Sequence, residues 1–410
     1  MQRRWLFFLL IPLIANAQRP VAPALLPDPV RALNTYHAAL TKLRQEHPNH
    51  RDDLPDLHFF LFGMGDRLKL IYRDGRLINA LTGNIEEQWK VEKAVIVPSE
   101  YTVALELTAP PDGQPKTIQI REDENGVWIL QPGKRPRLIP GTRSPLTLPR
   151  FAASSYGPVL RVLHQEVLIN VINGRPVPNF MVHAKPWYRG AALMAMVLRE
   201  TGNLPLIRDW ILALRDPFDR NNHGIAEADN PGQVLFLVSL VSDKTHPVVP
   251  MALDSVKRFQ RENYIVGKTD YAEHPVFQTK WLKYGLKSLG LPDPYVTPKQ
   301  YDSYSSLFWW GYKDQHFITT GIGAASIAEK RVDQKNSRYY PYLAWAEDNF
   351  YQEERGIVGN LDYPLSWEQN ASDAHYPGMT VLDKGLVKQK LAFPHTWHAA
   401  EMFLLLLTKE

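Results

Sequence analysis

Apolar and polar positions change period twice along the chain. After a Pro- and Ala-rich stretch carrying Pro20, Pro23, Pro27 and Pro29, apolar residues between Val30 and Glu46 recur at helical spacing and predict one helix. His47 to Pro55 is a polar break. From residue 56 the pattern becomes strand-like. Leu57–Phe62 is a nearly continuous apolar run, and Leu68–Tyr72 and Arg76–Ile78 flank Asp74-Gly75, the two-residue signal of a hairpin turn. Further strands are predicted at Val91–Val97, Tyr101–Leu107, Thr117–Ile120 and Val127–Leu130, punctuated by Asp112-Gly113 and Asn125-Gly126. Pro-rich residues 132–149 form an irregular connector.

After residue 155 the spacing turns helical again. Helices are predicted at Pro158–Val171, Tyr188–Thr201, Pro205–Leu214, Pro231–Ser242, Pro247–Arg261, Pro275–Leu289, Ser303–Tyr312, Tyr340–Glu354 and Thr396–Thr408. Several open on proline, whose missing N–H costs nothing in a first turn, and Thr201-Gly202 and Leu289-Gly290 read as helix stops. The pattern divides the chain into a leader with its helix (18–55), an antiparallel β domain with its connector (56–150) and a helical domain (151–410). Helix pairs joined by loops rich in polar and aromatic residues predict a mainly α fold with a β-rich N-terminal part. The expected architecture is an (α/α)6 toroid of helical hairpins preceded by a small antiparallel β domain.

Residues 1–17 read as an export signal. Arg3 and Arg4 precede the apolar run Trp5–Ile14, and Ala15-Asn16-Ala17 is a small-x-small cleavage site before Gln18. The run is too short to span a bilayer, and no later stretch reaches that length. A secreted or periplasmic protein without an integral membrane span is therefore expected. Removing Arg3 and Arg4 from the 47 basic residues leaves 45 against 43 acidic ones. That balance gives no electrostatic case for nucleic acid or an anionic membrane. The chain has no cysteine, which excludes disulfides and thiol catalysis. Aromatic residues reach 11%, with much of that content beyond residue 150, enough to furnish both a core and stacking faces for sugar rings.

Four clusters can carry chemistry. Lys185-Pro186-Trp187-Tyr188-Arg189-Gly190 precedes a helix, where it either lines a cleft or forms a buried helix start with Arg189 in a structural ion pair. Asp219 to Asn230 crowds oxygen-bearing side chains before the next helix. Asp219, Asn221, Gly224 and Glu227 partly match a calcium loop, but position twelve is Asn230 instead of glutamate. Helix capping is the default reading of this loop, and a cleft carboxylate at Glu227 or Asp229 is the sharper one. Thr269-Asp270-Tyr271-Ala272-Glu273-His274 again precedes a helix, with Asp270 or Glu273 as cap or cleft carboxylate. The fourth cluster is a C-terminal pair, Trp367-Glu368-Gln369 and Pro394-His395-Thr396-Trp397-His398-Ala399-Ala400-Glu401. His395 and His398 lie three apart, but without a third ligand nearby capping or packing outweighs zinc.

The C-terminal pair resembles the end of glucoamylase-like enzymes of the six-hairpin (α/α)6 superfamily. These carry a Pro-Glu-Gln segment bearing the catalytic base and then a Pro-x-x-Trp-x-x-Ala-Glu helix that closes the barrel. Carried over, Glu368 is the base, and Trp397 and Glu401 belong to the last inner helix. Trp187-Tyr188-Arg189 is similar to the family's early Trp-x-Arg-Asp motif, with Gly190 standing where the family has a sugar-binding Asp. The family's acid segment, paired glutamates after a tryptophan, has no counterpart here.

The resemblance implies glycoside hydrolysis of an oligo- or polysaccharide by two carboxyl groups, one protonating the leaving oxygen and one assisting attack, with no metal or organic cofactor. Glu368 pairs with one of Glu227, Asp229, Asp270 or Glu273. Trp187, Tyr188, Trp309, Trp310, Trp367 and Trp397 supply faces for sugar rings, and Arg189 and His395 supply polar contacts. Two rival readings are a polysaccharide lyase using Tyr188, Arg189, Asn222 and His223, and a non-catalytic carbohydrate-binding or envelope protein. Neither a Gly-x-Ser-x-Gly elbow, a phosphate-binding glycine loop nor a His-Glu-x-x-His motif is present.

Overall fold

The computed structural model describes residues 21–45, 59–109, 113, 116–180, 184–269, 272–298 and 396–408. The expected signal (1–17) and the helices expected at Ser303–Tyr312 and Tyr340–Glu354 lie outside them. Helix α1 spans Pro29–Gln45. Asp28 caps it, its Oδ1 accepting the Arg31 N–H at 2.9 Å, and Pro29 starts it without losing a hydrogen bond. Its buried residues Tyr36 and Leu40 face the sheets and the helix that follows them.

Two antiparallel sheets follow. The first has the order β1 (Phe60–Phe62), β2 (Leu70–Arg73), β3 (Arg76–Asn79), β4 (Ile85–Gln88). The β2–β3 turn uses Asp74 and Gly75 at φ 48° and 72°, the left-handed pair that a two-residue hairpin requires. All three residues of β1 are buried, because the strand is covered on both faces, and its run of apolar side chains reads accordingly. The second sheet is β5 (Val91–Val97), β6 (Thr102–Leu107), β7 (Thr117–Glu122), β8 (Val127–Leu130) and β9 (Arg137–Leu138), paired in sequence order. Between β7 and β8, the Asp123 carboxylate accepts the N–H groups of Asn125 and Gly126 and the Trp128 indole, which fixes the turn.

Helix α2 (Gly157–Ile169) is buried from Val159 to its end. It is bonded into the sheets: Gln165 Nε2 donates to Leu61 O at 2.8 Å, Tyr101 Oη to Arg161 O at 3.0 Å, and Gly65 N to Leu168 O at 2.9 Å. The apolar core runs without a break from the sheets into the helices. Beyond α2 lie α3 (Tyr188–Glu200), α4 (Arg208–Leu212), α5 (Asn230–Ser239), α6 (Val248–Val256), α7 (Pro275–Ser288) and α8 (Thr396–Thr408). Helix α8 packs on α2 and α3, and α5 packs on α3, α6 and α7. The α5–α7 crossing needs two glycines. A Cβ on Gly232 would stand 2.4 Å from the Trp281 carbonyl carbon, and one on Gly285 would stand 2.4 Å from Gly232 O. Among the described residues no helix is long and apolar enough to cross a membrane.

The expected (α/α)6 toroid is not what forms. The chain has a mixed architecture, with four- and five-stranded antiparallel sheets and helices interrupted by three small hairpins: β10–β11 (Val171–Ile172, Arg175–Pro176), β12–β13 (Gln260–Arg261, Tyr264–Ile265) and β14–β15 (Lys268–Thr269, Ala272–Glu273). Two expected helices are cut short. Over 205–214, a 3-10 turn at Leu204–Ile207 leaves only the five residues of α4 helical. Over 247–261, α6 stops at Val256, and the chain enters β12 through a second 3-10 turn. The cause is tertiary. Arg258 lies over the Phe218 and Phe259 rings at 4.1 and 5.0 Å, and Phe259 O accepts the Val266 N–H. These contacts reward a hairpin at a place where spacing alone favours helix.

A buried polar knot closes the loop between β1 and β2. Arg67 and Glu122 pair at 2.9 Å with both side chains fully buried. Glu122 also accepts the N–H groups of Gly63 and Met64, and Arg67 donates to the carbonyls of Asp123, Glu124 and Ser144. Glu122→Ala strands the guanidinium in the interior and should cost about 3–5 kcal/mol, read by urea unfolding. Beside this pair, Lys69 Nζ donates to Gly63 O at 2.5 Å and to Gly65 O. Burial pulls its ammonium from the ordinary 10.5 down to about 7, with Glu122 and Asp66 opposing. Between those values the unfolded chain holds a proton that the folded chain has released, so stability should rise with pH. Above pH 10 tyrosine ionisation reverses the trend, because burial holds Tyr101 protonated up to about 12. Unfolding free energy should climb between pH 7.5 and 9.5 by up to about 1.4 kcal/mol per unit, and Lys69→Met should flatten that slope.

Candidate functional site

Helix α3 begins at Tyr188, and its N-terminus is where the chemistry-bearing segments meet. The Tyr188 N–H donates to Asp219 Oδ2 at 2.7 Å, so a loop residue 31 positions away satisfies one of the helix's unpaired first-turn donors. Tyr188 Oη donates to Asp216 O at 2.9 Å. The loop is tied back at two more points, Lys185 Nζ donating to Asp219 O and Asn221 Nδ2 to Pro186 O, and is braced internally by the Asn221 N–H, which donates to Asp219 Oδ1. Arg220, His223 and Gly224 take left-handed backbone angles, which fold residues 219–225 into a tight cap over the helix start.

One residue further on, Arg189 points inward. Its Nε donates to Asp229 Oδ2 at 3.1 Å and its Nη2 lies 3.4 Å from both Glu227 oxygens. The three side chains are 1%, 0% and 1% exposed. Asp229 is further fixed by Thr269 Oγ1 at 2.8 Å and Gln233 Nε2 at 2.7 Å. Gln278 Nε2 on α7 donates to Thr269 Oγ1 at 2.9 Å, while its amide exchanges two bonds with the backbone of Gly267. Glu227 is held more loosely by Arg189, and Asn222 Nδ2 donates to it at 3.4 Å. The Trp187 ring lies 5.3 Å from the Arg189 guanidinium, and its indole N–H is buried without a hydrogen-bond partner among the described residues.

Burial raises the Asp219 carboxyl above its ordinary value, against the two backbone N–H bonds that it accepts. Burial also raises the Tyr188 phenol, helped by Asp219 and Asp216. The second helix start, that of α8, reaches the same place. Thr396 bonds to Val177 O and Pro178 O, and a Cβ built on Gly190 would meet its Oγ1 at 3.7 Å. Gly190 therefore faces α8 at ordinary contact distance.

Of the sequence-predicted residues, Trp187, Tyr188, Arg189, Glu227 and Asp229 come together, and Thr396 of the C-terminal motif lies beside Gly190. Glu273 does not join them: it is exposed on β15, paired with Lys268. Trp397 belongs to α8. Asp270, Trp309, Trp310, Trp367, Glu368 and His395 lie outside the described residues. Among the described residues no group of three or more acidic or histidine side chains is placed to hold a metal ion. Gln233, Thr269 and Gln278 complete the group around Asp229 and were not singled out as site residues. The available signal was a lone glutamine inside each of two apolar helical runs. Comparison with family models, with curated proteins and with solved structures finds no match to this chain.

Arg189 is sealed in with two carboxylates, and Asp229 holds it with the shorter bond. Asp229→Asn should therefore destabilise the protein by about 3–5 kcal/mol, read by urea titration against the wild type.

Proposed function

We propose that this chain is an exported carbohydrate-active hydrolase whose site lies at the N-termini of α3 and α8. The observation that carries the reading is convergence. Segments 185–190, 219–230, 267–278 and 396 are remote in sequence, yet they meet around Arg189 and Gly190. Two of these segments bear the motifs that resemble glucoamylase-like enzymes, and the resemblance extends to this chemistry without extending to their architecture.

Glycoside hydrolysis needs one carboxyl group to protonate the leaving oxygen and one to assist attack on the other side of the bond. Glu227 and Glu368 take these two roles. Asp229 is the positioning residue. Its oxygens are committed to Thr269, Gln233 and Arg189 at 2.7–3.1 Å, so it holds the guanidinium in place beside Glu227. Trp187, whose ring lies 5.3 Å from that guanidinium, gives the sugar an apolar wall.

The test is reducing-sugar release from a panel of α- and β-linked glucans, xylan and chitin oligosaccharides. Wild type should cleave at least one substrate. Glu227→Gln and Glu368→Gln should each lose about 100-fold or more in turnover while still unfolding in a single cooperative transition. No release from the whole panel, or undiminished turnover in Glu227→Gln, removes the hydrolase reading.

A further inference from the structure

A cleft of about 690 Å³ opens where the sheets meet the helices, lined on one side by Trp210, whose ring packs against Tyr188. Its volume falls within the range of about 300–1,000 Å³ typical of small-molecule sites. One wall is apolar, formed by Leu146 and the half-buried ring of Trp210. The rim is polar and comes from three separate places: Asp66 from the β1–β2 loop, Asn173 and Arg175 from the β10–β11 hairpin, and Asp209 from α4.

These rim groups are held in place but not used up. Asp66 Oδ1 accepts the Gly174 N–H at 2.7 Å, which locks the hairpin tip to the β1–β2 loop. Asn173 stands at φ 50° in the two-residue turn beside Gly174, an arrangement that fixes where the tip points. The side chains of Asn173, Arg175 and Asp209 make no hydrogen bond or ion pair among the described residues. Trp210 is fixed in turn, packed edge to face against Tyr188 with ring centroids 6.3 Å apart.

We propose that this cleft is a second saccharide-binding site, separate from the one at Arg189. It takes a short stretch of neutral sugar units, with one ring laid on Trp210. A pyranose presents C–H groups on its faces and hydroxyls around its edge. An aromatic wall with carboxylate, amide and guanidinium groups around it matches that division, because each edge hydroxyl can both donate and accept. The rim carries two carboxylates against one guanidinium, which disfavours a polyanionic glycan. The saccharide class follows the functional reading above, whereas the site itself stands on the cleft's own geometry.

The test is isothermal titration of Glu227→Gln protein, which cannot consume its ligand, with maltohexaose, cellohexaose, xylohexaose and chitohexaose. At least one should bind at millimolar affinity or better. Trp210→Ala in that background should weaken binding about tenfold or more. Trp210 also supports Tyr188, so Arg175→Ala/Asp209→Asn is the second variant. Both of its residues are exposed and have no side-chain partner among the described residues, and it should weaken binding at least threefold with an unchanged melting temperature. No binding of any of the four, or undiminished affinity in the Arg175/Asp209 variant, overturns the proposal. Binding that these variants weaken upholds it even if the wild type releases no sugar, an outcome that would remove the hydrolase reading alone.

Discussion

A guanidinium with almost no solvent exposure cannot remain in an interior unless its charge is met there. Arg189 meets this condition through Asp229 and Glu227, and each partner needs support of its own. Asp229 draws in Thr269 and Gln233, and Thr269 draws in Gln278. One buried cation thus dictates the positions of residues from α3, the loop before α5, the β14 strand and α7. The polar network is a constraint on geometry more than a source of net stability, since a buried ion pair roughly offsets its own desolvation while a broken one costs heavily.

A similar arrangement holds the other half of the molecule. Arg67 and Glu122 sit under the β1–β2 loop, and the loop's carbonyls surround Lys69. Both knots are local clusters of ion pairs and backbone hydrogen bonds within an apolar core that is continuous from the sheets into the helices among the described residues. Each fixes a loop that bulk hydrophobic burial alone would leave free to choose among conformations, because apolar contact is non-directional.

Short-range chemistry was legible in the sequence. Asp74-Gly75 announces its hairpin because only left-handed angles close a two-residue turn, and Val91–Val97 and Val127–Leu130 follow from apolar and β-branched content. The helices beginning at Tyr188, Pro275 and Thr396 were legible from periodicity, and the one at Pro275 also from proline in its first turn. Arg189, Glu227 and Asp229 stood out as charges beside apolar runs. What could not be read was anything decided across the chain. Phe218 draws Arg258 out of a helix, and Gln278 serves a carboxylate 49 positions earlier. The toroid expectation failed for the same reason. Helical spacing specifies a face to be covered but not what covers it, and here turns such as Asn173-Gly174 let small hairpins do part of that work.

Gly232 and Gly285 place the backbones of α5 and α7 in direct contact, with no side chain to act as a spacer. Helix α5 begins right after Asp229, and α7 carries Gln278 one turn from its start. With no side-chain layer between the two backbones, the separation of the helices is fixed by main-chain contact. The spacing between the carboxylate and the amide that steadies its neighbour Thr269 is thus set by a pair of residues that bear no functional atoms at all.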